Sequence, residues 1–259
     1  MPEFVRLEVD DGVGLVRLDR PPANAIDHQV GLELQEVLRE AERRDDIGAL
    51  VVWGGRKLFA AGADVKAMAG YGPSEIGPVV AALGDALDLL ESIPKISIAA
   101  INGYALGGGF ELALAADLRY LAEDATIGQP EIKLGVIPGA GGTQRIVRVA
   151  GVGVAADLIY SGRGVGAQEA QRLLLAHRVI EPDGVLDAAT ADARSFAFGP
   201  RDALAAAKQA IRAASENPSS VGRARERDLF VSLFDTSDQR EGMRAFLEKR
   251  DPRFGGDKR

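Results

Sequence analysis

The run Ile96-Ser97-Ile98-Ala99-Ala100-Ile101 constrains this chain more than any other stretch. It is strand-sized and apolar on both faces, so it belongs to a sheet that is covered on both sides. Ala49-Leu50-Val51-Val52-Trp53 reads as a second buried strand, ended by Gly54-Gly55. The first of these strands runs into Asn102-Gly103, then Gly107-Gly108-Gly109, then an apolar helical segment, Phe110 to Ala116. Buried strands alternating with helices indicate an α/β fold.

The remaining elements fit that frame. Phe4 to Val9 and Val13 to Leu18 alternate apolar and polar residues around an Asp10-Asp11-Gly12 turn, which predicts a hairpin stopped by Pro21-Pro22. Asp27 is placed to cap a helix whose apolar stripe is Val30, Leu34, Val37, Leu38 and Ala41. A further helix is expected from Ser74 to Glu91, short strands at Leu118 to Leu121 and Thr126-Ile127, and a helix near Arg145 after the glycine-rich passage Gly135 to Gly142. Strand–strand–helix units recur loosely, without a fixed period. From about Val152 strand patterns vanish and helical segments remain, broken at Ser161-Gly162, Pro182, Pro200 and Pro218. The expected organisation is a β/α body over residues 1–200 and a helical region over 201–259, long enough to embrace a partner subunit.

Composition narrows the function. The 259 residues carry 31 basic and 38 acidic side chains, a net charge of −7. No broad positive field for nucleic acid is expected from that balance. There is no cysteine, which removes thiolate metal sites and cysteine nucleophiles. The two histidines, His28 and His177, lack metal-ligand spacing, and no metal site is expected. The N-terminus has no secretory or transit character. No apolar run approaches the roughly 18–20 residues that span a bilayer. A cytoplasmic protein with no membrane partner is the expectation.

Two carboxylates stand out by their surroundings. Glu111 follows three glycines in the first turn of an apolar helix; Glu131 lies in Gly128-Gln129-Pro130-Glu131-Ile132, before a second glycine loop. Most acids sit on solvated faces, and a first-turn carboxylate is also favoured by the helix dipole, so either residue could be structural. Gly107-Gly108-Gly109 and Ala60-Ala61-Gly62-Ala63 are two small-residue loops that can present backbone N–H groups. Aimed at one oxygen, they make an oxyanion hole. No P-loop and no Gly-x-Ser-x-Gly elbow occur. Gly151-Val152-Gly153-Val154-Ala155-Ala156 fits a relaxed dinucleotide pattern but follows no strand.

Taken in order, Phe59-Ala60-Ala61-Gly62-Ala63-Asp64-Val65-Lys66, Ile101 through Ala113, Gly128 through Ile132 with Gly135 through Arg145, and the closing Glu241 through Arg250 resemble the crotonase, or enoyl-CoA hydratase/isomerase, family over nearly the whole chain. The resemblance implies a spiral of ββα turns with a C-terminal helical trimerisation region, in trimers or hexamers built as dimers of trimers. It implies that the N–H groups of Ala63 and Gly108 hold the thioester oxygen. Ala61 and the run Ala63, Asp64, Val65 and Lys66 would wrap coenzyme A, which is part of the substrate, so no separate cofactor is implied. Glu111 and Glu131 match the two catalytic glutamates, and Phe246 and Lys249 match C-terminal contacts to coenzyme A, often made from a neighbouring subunit. Met68, Tyr71 and the helix after Pro73 would border the acyl pocket.

Family isomerases typically keep an acid like Glu131 and lose the one like Glu111, so two glutamates imply a lyase: syn hydration of a trans-2-enoyl-CoA to a 3-hydroxyacyl-CoA, in fatty-acid oxidation or related lipid metabolism. The alternatives are an isomerase of the same family and a non-catalytic acyl-CoA-binding protein.

Overall fold

β1 (Val5–Asp10) and β2 (Val13–Leu18) pair antiparallel as the expected hairpin, turning through Asp11 and Gly12, both in left-handed conformation. They open a spiral that the computed structural model describes over residues 2–255. α1 (His28–Arg43) starts where Asp27 accepts the Val30 N–H at 2.9 Å, an N-cap that satisfies one of the orphan donors of the first turn. Each later turn repeats the logic. β3 (Ala49–Trp53) leads to the bridged segment Ala60–Ala63, then α2 (Val65–Met68) and α3 (Pro73–Ser92). β4 (Ile96–Ile101) leads to β5 (Tyr104–Leu106) and α4 (Gly108–Ala115). β6 (Leu118–Ala122) leads to β7 (Thr126–Gly128), a single 3-10 turn (Glu131–Leu134) and α5 (Gly142–Ser161).

The first strand of each turn joins a six-stranded sheet, β1-β2-β3-β4-β6-β9, parallel from β2 onward, where β9 is Arg178–Ile180. β5 and β7, the second strands of the turns begun by β4 and β6, join a short sheet, β5-β7-β8, with β8 at Gly164–Gly166. Single bridges, Ile26 to Ala63 and Ala60 to Ala105, carry that short sheet back through the earlier turns. The core lies around the large sheet and includes Leu34, Leu38, Phe59, Leu87, Ile98, Ile101 and Phe110, all fully buried. Each such side chain contributes about 1.5–3 kcal/mol. α6 (Ala167–Arg172) precedes β9, and α7 (Val185–Ala197) lies against β3 and β4.

α8 (Arg201–Glu216), α9 (Ser219–Ser232) and α10 (Ser237–Glu248) are the last α-helices among the described residues. α8 is fastened to the sheet by a buried cation: Lys208 Nζ reaches Asp117 Oδ2 at 2.8 Å and the Lys95 carbonyl at 3.0 Å.

One expectation about the fold needs correction. Strands do not vanish after Val152: β8 and β9 follow, and β9 is the sixth strand of the main sheet. Three-residue strands carry too little period to register as a pattern, and β8 is Gly164-Val165-Gly166, glycine on either side of one apolar residue. The glycine pattern at Gly151 lies inside α5, where a non-helical Gly151 (φ 84°, ψ 166°) kinks the helix, so no strand–turn–helix nucleotide motif exists there. No helix among the described residues is long and apolar enough to cross a membrane.

Candidate active site

A cavity of about 180 Å³ opens between α2 and α3 on one side and the turns before α4 and α5 on the other. Its walls are aliphatic: Ile26, Met68, Ile76, Val79, Val80, Leu83, Val136 and Ile137. Two carboxylates interrupt them, Glu111 and Glu131.

Glu111 is buried, 3% exposed, because every residue of α4 is enclosed by the surrounding turns. Its Oε1 accepts two backbone N–H groups, from Ala140 and Gly142, each at 2.8 Å. Burial pushes its carboxyl above the usual range. The two N–H donors and the positive charge of Arg145 pull the other way and keep the ionised form within reach.

Glu131 opens the 3-10 turn and is only partly buried. Burial, reinforced by the negative charge of Glu111, pushes it up to about 7. Beside it lies the wholly buried carboxamide of Gln129, which, with its nitrogen turned towards Glu131, donates to Oε1 at 2.9 Å and to Oε2 at 3.0 Å when that carboxyl is ionised. Gly107 makes the approach of Glu131 to α4 feasible. It adopts φ 52° and ψ −127°, and a methyl group there would sit 2.8 Å from Glu131 Oε1.

Two backbone donors face the same space. In the bridge between Ile26 and Ala63, Ile26 bonds to the flanking residues, donating to the Gly62 carbonyl and accepting the Asp64 N–H. The N–H of Ala63 itself therefore points away from Ile26. The N–H of Gly108 is in the first turn of α4 and has no intrahelical acceptor. Both residues line the cavity, and a Cβ on Gly108 would lie 4.0 Å from the Ala63 nitrogen.

Comparison with known proteins agrees over the same span. The enoyl-CoA hydratase/isomerase family model matches residues 8–257. A probable enoyl-CoA hydratase of Mycobacterium bovis, echA8, is 44% identical over 255 residues, covering 97% of this chain and 98% of that protein. The chain belongs to the enoyl-CoA hydratase/isomerase family. A probable enoyl-CoA hydratase of Rhizobium meliloti is 43% identical over 256 residues, with 97% and 98% covered. The crystal structure of an enoyl-CoA hydratase from Bacillus anthracis superposes with a TM-score of 0.94 at 36% identity, covering 98% of this chain and 100% of that one.

Within this enoyl-CoA hydratase/isomerase fold, the residues singled out from sequence divide into three groups. Ala63, Val65, Gly108, Glu111 and Glu131 line one cavity. Ala61 and Asp64 flank it on the loop into α2 and Lys66 lies in α2 itself, and the Asp64 carboxylate is already engaged. It caps α2 by accepting the Ala67 N–H at 3.2 Å and pairs with Arg20 at 3.0 Å, so it holds the loop in shape. Phe246 and Lys249 do not line the cavity. Phe246 is 82% exposed on α10, and Lys249 ends that helix in left-handed conformation. Among the acyl-pocket expectations Met68 and α3 are part of the wall, whereas Tyr71 is not and is exposed.

Sequence reasoning passed over Gln129 and the Ala140 and Gly142 N–H groups. Gln129 stands two residues before Glu131, and its burial between apolar strands and a proline was the available signal. The two N–H donors carry no signal in side-chain identity at all.

Proposed function

We propose that this protein is an enoyl-CoA hydratase that adds water syn across the double bond of a trans-2-enoyl-CoA to give the 3-hydroxyacyl-CoA. The observation that carries the reading is the pair of unlike carboxyl groups in one aliphatic cavity, beside two backbone N–H groups that have no acceptor among the described residues. The thioester oxygen accepts from Ala63 and Gly108, and α4 directs its positive end at the same point. Charge gathers on that oxygen as the β-carbon is attacked, so both donors bind the enolate-like transition state more tightly than the substrate. Loss of one such donor typically costs about 2.7–4 kcal/mol. Ionised Glu111 takes a proton from water as its oxygen bonds to the β-carbon, and protonated Glu131 delivers a proton to the α-carbon. A carboxyl held at about 7 still carries its proton in much of the population near neutral pH, which suits a donor.

The aliphatic walls receive the acyl chain, and Ala61, Asp64, Val65 and Lys66 border the thioester and pantetheine. Coenzyme A enters and leaves as part of substrate and product, and the reaction as drawn needs no separate cofactor. The body over residues 1–200 supplies the chemistry. The helices after Arg201 assemble the chain into a trimer or a hexamer of paired trimers. The exposed side chains of Phe230, Phe234, Phe246 and Leu247 support an interface there. In that assembly Phe246 and Lys249 close the coenzyme A site, from a neighbouring subunit where they do not reach their own. The expected compartment is the cytoplasm, and the expected pathway is fatty-acid oxidation or related acyl-CoA metabolism.

Hydration of crotonyl-CoA, followed by loss of the conjugated-thioester absorbance, tests the reading, with hexenoyl-CoA and longer chains in parallel. Turnover by the wild type and near-inert, folded Glu111→Ala and Glu131→Ala variants are expected. Absence of hydration of every 2-enoyl chain, with conversion of a 3-enoyl-CoA, would replace hydration by double-bond isomerisation.

A further inference from the structure

Glu111 owes its orientation to the Pro138–Gly142 turn, because that turn supplies both N–H groups on Oε1. Pro138 to Gly141 have no regular secondary structure, and Gly142 opens α5. The turn is wrapped instead around one buried side chain. Arg145, 5% exposed in the first turn of α5, donates from Nη1 to the Ala140 carbonyl at 2.7 Å. Ala140 is the residue whose N–H grips Glu111. The turn comes so close that a Cβ on Gly141, itself at φ +103°, would lie 2.2 Å from Nη1. The rest of the guanidinium is tied to α3. Nη2 meets Asp88 Oδ1 at 2.7 Å and Glu91 Oε2 at 3.0 Å, and Nε meets Glu91 Oε2 at 3.2 Å. A planar fork used in three directions fixes the turn relative to α3 more firmly than a point charge could.

The consequence for Glu111 is a loss of symmetry between its oxygens. Oε1 holds two donors, and Oε2 has no hydrogen-bond partner among the described residues. We propose that Arg145 is a positioning residue. By holding the Ala140 and Gly142 N–H groups on Oε1, it reserves Oε2 of Glu111 for the reacting water. This deepens the hydratase reading and rests on it for the identity of the reaction. The charged groups around Glu111 are Glu131 on the 3-10 turn and Arg145 on α5, with Asp88 and Glu91 on α3 behind Arg145. Glu131 opposes ionisation of Glu111 and Arg145 favours it, so removing the guanidinium moves ionisation of Glu111 to higher pH.

The test compares wild type with Arg145→Gln, Arg145→Lys and Asp88→Asn. The readouts are kcat and KM on an enoyl-CoA, the acid limb of kcat/KM against pH, and the melting temperature. The carboxyl stretch of Glu111 is titrated as well, isolated by infrared difference against Glu111→Gln. For Arg145→Gln a fall in kcat of about 100-fold is expected, the size of effect that misplacing a reacting group by about 1 Å produces. KM should change little, and the acid limb and the infrared titration should both move to higher pH. Arg145→Lys keeps the charge without the fork, so its acid limb stays near that of wild type while kcat remains well below it. Asp88→Asn, at an exposed partner, gives a smaller fall in kcat than Arg145→Gln and no shift of the acid limb to higher pH, because it removes a negative charge.

A folded Arg145→Gln enzyme with wild-type kcat and an unmoved acid limb overturns the proposal. So does a kcat loss that follows the melting temperature while the Glu111 titration stays put. If Arg145→Gln does not fold, the split between limb and kcat in Arg145→Lys decides. If wild type hydrates nothing, the reaction assignment fails on its own, and the Glu111 infrared titration in the same variants still accepts or rejects the role of Arg145.

Discussion

Glu111 and Glu131 face each other across one cavity, and their settings differ in almost every respect. Glu111 stands on a fully buried helix, with one oxygen held by two peptide N–H groups and a guanidinium behind them. Glu131 stands on a single 3-10 turn, partly open, and touches one neutral carboxamide. Burial raises both, but Glu111 has peptide donors and a cation opposing it, while Glu131 also feels the negative charge of Glu111. The same side chain is thereby given two dispositions. One wall of the cavity is built to tolerate an anion, and the other is built to keep a proton until late. Separating the roles took backbone geometry and one distant cation, with no difference in residue type.

The sharpest way to break this contrast is to neutralise each wall. Glu111→Gln and Glu131→Gln should each lower kcat by about 10²–10⁴-fold, the usual range for a positioned acid or base. The double variant should be scarcely worse than the poorer single one, since groups that act as a unit are not additive. Continuous absorbance assays on the three proteins check this. A double variant that loses the product of the two single effects would show that the two carboxyls act independently.

Next come two glycine substitutions, one against each carboxylate. Gly107→Ala forces a side chain into a left-handed backbone and against Glu131 Oε1, at 2.8 Å. Gly142→Ala places its methyl 3.0 Å from Glu111 Oε1 and 2.6 Å from the Gln129 carboxamide, so it presses on the other carboxylate and on the amide between them. Each should lower kcat by roughly 10–100-fold. Gly107→Ala should also cost about 1–3 kcal/mol of stability, read from denaturant unfolding. Equal effects of the two on the acid and basic limbs of the pH profile would contradict the assignment of one limb to each glutamate.

Replacing Gln129 with leucine removes the donor that favours ionised Glu131. A loss in kcat on the order of tenfold is expected, with the basic limb of kcat/KM moving to higher pH, because the proton donor then holds its proton longer. A pH–rate series on Gln129→Leu measures both.

The smallest effect concerns folding. A carboxyl whose pKa rises from 4.5 to about 7 on folding binds more protons folded than unfolded between those values. Its contribution to stability is therefore present at low pH and is lost as pH rises through that window. Glu131→Gln should flatten this slope, seen as a smaller difference between unfolding midpoints measured near pH 5 and near pH 8. An unchanged slope would mean that Glu131 ionises in the folded protein much as it does in the unfolded chain.

Much of this arrangement is legible in the amino-acid sequence. The hairpin, α1, β3 and β4 could be read because their burial imposes a period or an unbroken apolar run. The pairing of Glu111 with Glu131, and of Ala63 with Gly108, followed from long ordered motifs. The unread parts share a cause. β8 and β9 are three residues each, and a three-residue strand is made by its neighbours and not by its own pattern. Arg145 acts through Asp88 and Glu91, 57 and 54 residues away, so nothing local marks it as more than one more arginine on a helix. Gln129 gains meaning only when the chain folds its carboxamide back over Glu131. Tyr71 was misplaced for the converse reason: adjacency in sequence to a pocket residue does not aim a side chain into the pocket.

α3 carries two unrelated duties along its length. Val79, Val80 and Leu83 form the floor of the acyl cavity, and Asp88 and Glu91 anchor Arg145 one to two turns further on. At 1.5 Å of rise per residue, Val80 and Glu91 stand about 16 Å apart on one rigid rod. Such a rod is a modular part. Its first half can be recut by mutation to admit longer, shorter or branched chains while the aim of Glu111, set from the other half, is left alone. A lineage built on this helix can diversify in substrate without having to reinvent its chemistry each time.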